Sequence, residues 1–168
     1  MFGGNREKLH AGSPFSLKIQ DETCLEKRGK GAEPTSIEEE ILKTSHNVAV
    51  VGLSANPERA SNLVARTLKE AGFKIIPVNP GEQTILGEKS YAELAAVPDK
   101  IDVVDIFRKS EDVLPIVKQA IAKGAKAVWM QEGVINETAA ARAREAGLKV
   151  VMDRCMRKEL KKLNPALR

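Results

Sequence analysis

The sequence predicts an α/β fold: a doubly wound, mainly parallel five-stranded Rossmann-type sheet with helices on both faces. Three observations carry that reading. Short, nearly unbroken apolar runs recur with centres roughly 23 to 28 residues apart, as strands buried on both faces of a parallel sheet require. Stretches with helical apolar spacing lie between the runs, and glycine stops follow those helices. Alternation of strand and helix at this interval is the rhythm of right-handed crossovers.

Order begins at Thr35-Ser36-Ile37-Glu38-Glu39. Two overlapping Ser/Thr-x-x-Glu spacings there can satisfy the free amides of a helix start, and a short helix should run to about Thr44. Asn47 to Gly52 is the first strand. A helix over Ser61 to Ala71 carries an apolar stripe at Val64, Leu68 and Ala71 and stops at Gly72. Phe73 to Val78 is the second strand. Its Pro77 cannot donate to a ladder, so it belongs near the strand's end or where the sheet is unpaired. A Gly-rich polar loop and a short helical piece near Tyr91 to Ala95 lead to the third strand, Ile101 to Phe107. A helix from about Glu111 to Lys123 follows, with Ser110 as its cap and Gly124 as its stop. Ala125 to Met130 is the fourth strand, Glu137 to Ala146 a helix capped by Asn136 and stopped by Gly147, Leu148 to Met152 the fifth strand, and Met156 to Leu163 a last basic helix.

Residues 1–34 contain five glycines, two prolines, a mixed charge run and no sustained apolar period. They read as a flexible extension or a loosely docked arm that could serve an oligomer or a partner, while residues 35–168 form one domain.

The chain of 168 residues, 42% hydrophobic and 30% charged, has a globular composition and needs no metal or disulfide to fold. It has no membrane-length apolar run and no secretory leader, which points to the cytoplasm. Cys24 and Cys155 lie in parts of the chain that differ in kind, so they are expected to be reduced rather than paired. The net charge of +4 is scattered among acids rather than gathered into a basic stripe with aromatics, which argues against nucleic acid as a partner.

In doubly wound sheets ligands bind beyond the carboxyl ends of the strands, so the residues just after each strand carry the functional information. After the first strand come Gly52-Leu53-Ser54-Ala55-Asn56-Pro57. The glycine allows a sharp turn, and Ser54, Asn56 and neighbouring amides can donate to an anion at a helix N-terminus. An ordinary strand-to-helix turn uses the same residue types, and the second glycine of G-x-G-x-x-G is missing. The second strand ends in Asn79-Pro80. A NAD-binding domain places an acid there for the ribose hydroxyls, so a nicotinamide cofactor is disfavoured.

After the third strand, Phe107 can lie against an adenine or an aliphatic arm while Arg108 meets a phosphate; a core Phe and a solvated Arg explain them equally well. After the fourth, Gln131-Glu132-Gly133 offers polar groups to the crevice or makes a simple turn, and the preceding Trp129 reads as core. After the fifth, Cys155 sits among Arg154, Arg157 and Lys158. Their charge would favour its thiolate, although a buried inert thiol is the simpler reading. His10 lies in the extension and His46 at the foot of the first strand, so no Ser-His-Asp set and no metal-ligand spacing emerges.

Taken in order, Val50 to Arg59, Ile76 to Pro80, Leu86 to Tyr91, Asp102 to Arg108, Val128 to Gly133 and Val151 to Cys155 resemble the stand-alone CoA-binding domain family. That family is similar to the CoA-binding domain of the succinyl-CoA synthetase alpha subunit. The resemblance spans about Ile37 to Leu163. It implies a coenzyme A cofactor, with its diphosphate at Ser54, Ala55, Asn56 and Pro57, the Asn79-Pro80 turn bordering the nucleotide, and Met130, Gln131 and Glu132 lining the crevice. Arg59 and Arg108 are assigned as counter-charges from position alone.

The synthetases also need a phosphorylated histidine on a separate domain and an ATP-binding subunit, neither of which this sequence supplies. The resulting expectation is a CoA or acyl-CoA binding module without catalysis of its own, acting alone, as a homo-oligomer or with an acyl-CoA-using protein. The alternatives are a nicotinamide enzyme, acyl transfer through Cys155, or a structural interaction protein with a degenerate site.

Overall fold

The computed structural model of the protein describes residues 36–167. The extension read at residues 1–34, with Cys24, lies outside the described residues.

Ser36 Oγ accepts a hydrogen bond from the Glu39 amide at 3.2 Å and opens helix α1, Ile37–Thr44. Strand β1, Asn47–Val51, is followed by α2, Ala60–Glu70, and β2, Lys74–Val78. Two short strands that the periodicity did not predict come next, β3 at Thr84–Ile85 and β4 at Glu88–Lys89, paired antiparallel. They are joined through Leu86 and Gly87, both at positive φ. Two residues per strand are too few to show an alternation. A 3-10 turn at Leu94–Ala96 replaces the helical piece expected near Tyr91 to Ala95. The chain continues through β5, Val103–Ile106, α3, Val113–Ala122, β6, Ala127–Met130, α4, Glu137–Glu145, β7, Lys149–Val151, and α5, Met156–Leu163.

Five parallel strands form one sheet in the order β2-β1-β5-β6-β7. Side chains alternate between two cores. Ala49, Val51, Val104 and Ile106 pack under α3 and α4, and Val48, Val50, Val103 and Trp129 pack under α1, α2 and α5. This is the doubly wound arrangement the apolar runs predict. Pro77 sits inside β2, and the sheet tolerates it because β2 is an edge strand. The Pro77 carbonyl accepts from the Tyr91 amide on the outer side, the side on which a backbone donor of residue 77 would also point.

One assignment is corrected. Ser110 does not cap α3, because residues Ser110–Asp112 form a 3-10 turn ahead of it. Its Oγ instead accepts from the Ile135 amide, and its carbonyl accepts from Asn136 Nδ2, so it tethers the loop before α4. A Ser-x-x-x spacing cannot distinguish the two uses, since the partner is about 25 positions away. Asn136 does cap α4 as predicted, its Oδ1 accepting from the Ala139 amide at 2.8 Å.

The amino ends of the strands are held by Asp102. Its Oδ2 accepts from the amides of His46 and Asn47, both at 3.0 Å, and its Oδ1 meets Lys126 Nζ at 2.9 Å. Burial alone would push this carboxyl up, but the Asn47 amide, Lys126 and the His46 amide outweigh it and hold the pKa at about 2. A depressed carboxylate contributes stability that is present above its unfolded pKa, so this contribution is complete above about pH 4 and is lost as pH falls towards 2. Asp102→Ala should lower unfolding free energy by about 1 to 3 kcal/mol at pH 7, since two part-buried amides lose a charged acceptor. Urea denaturation at pH 7 and pH 3 checks this: the gap between variant and wild type should shrink at the lower pH.

Candidate functional site

Strand order reverses between β1 and β5, and the loops that follow these strands open a crevice at the carboxyl edge of the sheet. Gly52 forms its hinge. It adopts φ +86, donates its amide to the Val78 carbonyl, and lies so close to β5 that a Cβ on it would stand 2.4 Å from the Phe107 carbonyl oxygen. Glycine is therefore required twice, for conformation and for space.

The turn beyond it is bonded to itself. The Ser54 amide donates to Ser61 Oγ, the Asn56 amide to Ser54 Oγ, and the Glu58 amide to Asn56 Oδ1, while Asn62 Nδ2 donates to the Ser54 carbonyl. The oxygens of Ser54 and Asn56 and the amides of Ser54, Asn56 and Glu58 are thus taken up in bonds that shape the loop, while the Ser54 hydroxyl proton and Asn56 Nδ2 have no partner among the described residues. Ala55, Asn56, Pro57 and Arg59 are exposed. Arg59 is the N-cap of α2 without a side-chain bond to its amides, and the first turn of α2 carries no acid. Its free amides are the positive end of the helix.

Asn79 locks this turn to the end of β2. Its Nδ2 donates to the Leu53 carbonyl at 2.8 Å and its Oδ1 accepts from Gly81. Pro80 lines a cavity of ≈ 310 Å³ on the α3 face, with Glu93, Pro115 and Gln119 among residues that sequence reading did not single out. A second cavity of ≈ 570 Å³ on the α2 face is lined by Ala60, Phe107, Gln131, Glu132 and Cys155. Arg108 and Asp112 border both, so the two cavities meet at the end of β5. Arg108 is exposed, and among the described residues neither it nor Arg59 forms an ion pair.

The fourth and fifth strand ends are divided. Met130 does not line the crevice as the resemblance implied: it is fully buried in the core under α3 and α4. Trp129 is core as read, its Nε1 donating to the Arg154 carbonyl. Gly133 donates its amide to Asp153 Oδ1, tying the loops after β6 and β7, and Glu132 pairs with Lys158 at 2.7 Å. Cys155 is a free, half-buried thiol, and the cations around it are engaged elsewhere: Arg154 with Glu38, Arg157 with Thr67 and Lys158 with Glu132.

One residue beneath the crevice escaped sequence reading. Asp105 lies in β5 with no exposure, and its Oδ1 accepts from Gln131 Nε2 at 2.7 Å. Its Oδ2 has no partner, like Asn62 Oδ1. Burial raises the carboxyl to about 7 against the opposing pull of the Gln131 and Ile106 amides. Its signal in the sequence was an acid in the middle of a predicted apolar strand that also carries Asp102 near its start. Protonation turns Oδ2 from an acceptor without a donor into a donor.

The folded form holds this proton more tightly than the unfolded form, so stability should fall as pH rises from about 4 through about 7. The fall is of the order of 4 kcal/mol as an upper bound. Asp105→Asn should flatten that slope between pH 5 and 8, as read from urea midpoints. Gly52→Ala should cost about 3 kcal/mol or more at any pH, from backbone strain plus the contact with Phe107.

Among the described residues no helix is long and apolar enough to cross a membrane, and no group of three or more His, Cys, Asp or Glu could hold a metal. The chain is 39% identical over 118 residues to the uncharacterized protein YneT of Bacillus subtilis, covering 70% of this chain and 87% of that one. It is 30% identical over 92 residues to the alpha subunit of ADP-forming acetate–CoA ligase II of Pyrococcus furiosus, but this match spans 54% of the chain and only 20% of the subunit. A hypothetical protein from Pyrococcus horikoshii superposes with a TM-score of 0.74 at 41% identity, over 80% of this chain and 99% of that one. The model of the CoA binding domain matches residues 46–161, which is more than half of the sequence, and the chain therefore belongs to the CoA binding domain family.

Proposed function

We propose that this protein binds coenzyme A or an acyl-CoA in the crevice at the ends of β1 and β5 and has no catalytic activity of its own. One observation carries the reading. The N-terminus of α2, without an acid in its first turn, borders one of two adjoining cavities through Ala60, Arg108 borders both, and among the described residues neither Arg108 nor Arg59 at the helix start forms an ion pair. A polyanionic ligand with a long neutral arm matches that arrangement: phosphates take the amides and arginines, and the arm takes an open cleft whose surface is largely apolar. On this reading Ser54 to Pro57 hold the diphosphate, Arg59 and Arg108 supply counter-charge, Asn79 and Pro80 border the nucleotide, and Phe107 with Gln131 and Glu132 takes the arm.

The non-catalytic part rests on position. His46 stands at the amino end of β1, where its carbonyl accepts from Lys74 and its amide donates to Asp102, so it is at the far edge of the sheet from the crevice. The matching ligase subunit is about five times longer than the region shared, and its activity belongs to that whole protein. The setting that fits a free thiol such as Cys155 is the cytoplasm.

Thermal unfolding with and without ligand tests the assignment. At a hundredfold excess over Kd, CoA should stabilise the fold by about 2.7 kcal/mol, a rise of several degrees in Tm. NAD at equal concentration should give little. Equal response to both, or none to millimolar CoA, defeats the proposal. Arg108→Glu, an exposed change, should weaken CoA binding tenfold or more by calorimetry while leaving the Tm of the free protein within about a degree.

A further inference from the structure

The reading above leaves one reactive group unused. Cys155 precedes α5 as its N-cap, is half-buried, and lines the 570 Å³ cavity together with Phe107, Gln131 and Glu132. Gln131 lines the same cavity at only 4% exposure. Its Nε2 is committed to Asp105, and among the described residues nothing donates to its Oε1, which is the polar group left for an occupant. An acceptor without a donor among the described residues, on a side chain that is otherwise buried and lines the same cavity as a free thiol, suits an amide-bearing chain that ends in sulfur. The amide nitrogen satisfies Gln131, and the sulfur is brought to Cys155.

We propose that Cys155 is a covalent docking residue for the thiol end of the cofactor, reached by thiol–disulfide exchange with a CoA disulfide bound in the cavity beside Gln131. This rests on the CoA reading and extends it. In the exchange, Cys155 loses its proton and its Sγ attacks the sulfur of the bound half. A bond forms between Sγ and that sulfur, the original disulfide bond breaks, and the outgoing half leaves as a thiolate that takes up a proton. The cysteine is oxidised, one CoA thiol is released in reduced form, and no other oxidant is consumed. A second free thiol reverses the step. The outcome is a reversible block of the cavity that reports the oxidised fraction of the cofactor pool, the transient kind of disulfide a reducing compartment permits.

The full chain, freshly reduced, is incubated with CoA disulfide, and the adduct is followed by intact mass and located by peptide mapping under non-reducing conditions. The adduct should form at Cys155 at least tenfold faster than the glutathione adduct formed from oxidised glutathione at equal concentration. Dethio-CoA, which lacks the sulfur, should slow it by competition, and dithiothreitol should remove it. Cys155→Ser should abolish it. Equal rates from the two disulfides, no slowing by dethio-CoA, or equal labelling of Cys24 overturns the proposal. A thermal shift with dethio-CoA reports binding without thiol chemistry. Binding without a selective adduct therefore defeats this inference alone, and no shift at all defeats the reading beneath it as well.

Discussion

The architecture of the crevice depends on the approach of Gly52 to the Phe107 carbonyl. At this point β2, β1 and β5 are joined side by side at their carboxyl ends by two amides, Gly52 to Val78 and Phe107 to Val51. The chain then leaves β1 towards one face and β5 towards the other. With no side chain at position 52 the two exits lie in contact, and the loops beyond them splay apart. The two cavities flanking Arg108 are the space left by that splay. A sheet with any larger residue at the hinge would have to separate its two central strands, so one steric requirement sets both the closeness of the strands and the openness above them.

The turn after the hinge is rigid through polar side chains that bond its backbone. Ser54, Asn56, Ser61, Asn62 and Asn79 together fix amides and carbonyls between residues 53 and 58. Their chemistry reads as ligand recognition from sequence, yet much of it serves shape. The benefit to binding is indirect: a loop already ordered loses little conformational freedom when an anion arrives, so more of the contact energy is expressed as affinity.

The sequence makes the sheet legible because every strand is buried on both faces and each helix carries a one-sided stripe, and such patterns are local. Strand ends and the caps at Ser36 and Asn136 follow from the same locality. What stayed hidden was relational. Ser110 serves a loop about 25 residues later, and Met130 turns inward because strand alternation, not proximity to the crevice, decides its direction. The bond between Asp105 and Gln131 crosses from β5 to the end of β6, and no spacing rule announces a pair 26 residues apart. The β3–β4 hairpin was missed for a different reason, since its order comes from two adjacent residues at positive φ and not from any apolar pattern.

The edge of β2 has a consequence of its own. Its outer side is occupied where Tyr91 bonds both the Pro77 carbonyl and the Asn79 amide, and Pro77 offers no donor there. An incoming strand from another molecule would have to displace Tyr91 and would still find a gap in the ladder. This side of the sheet is thus guarded against runaway strand addition by one ring residue and one proline, a safeguard that matters most while the chain is newly made and its neighbours are unfolded.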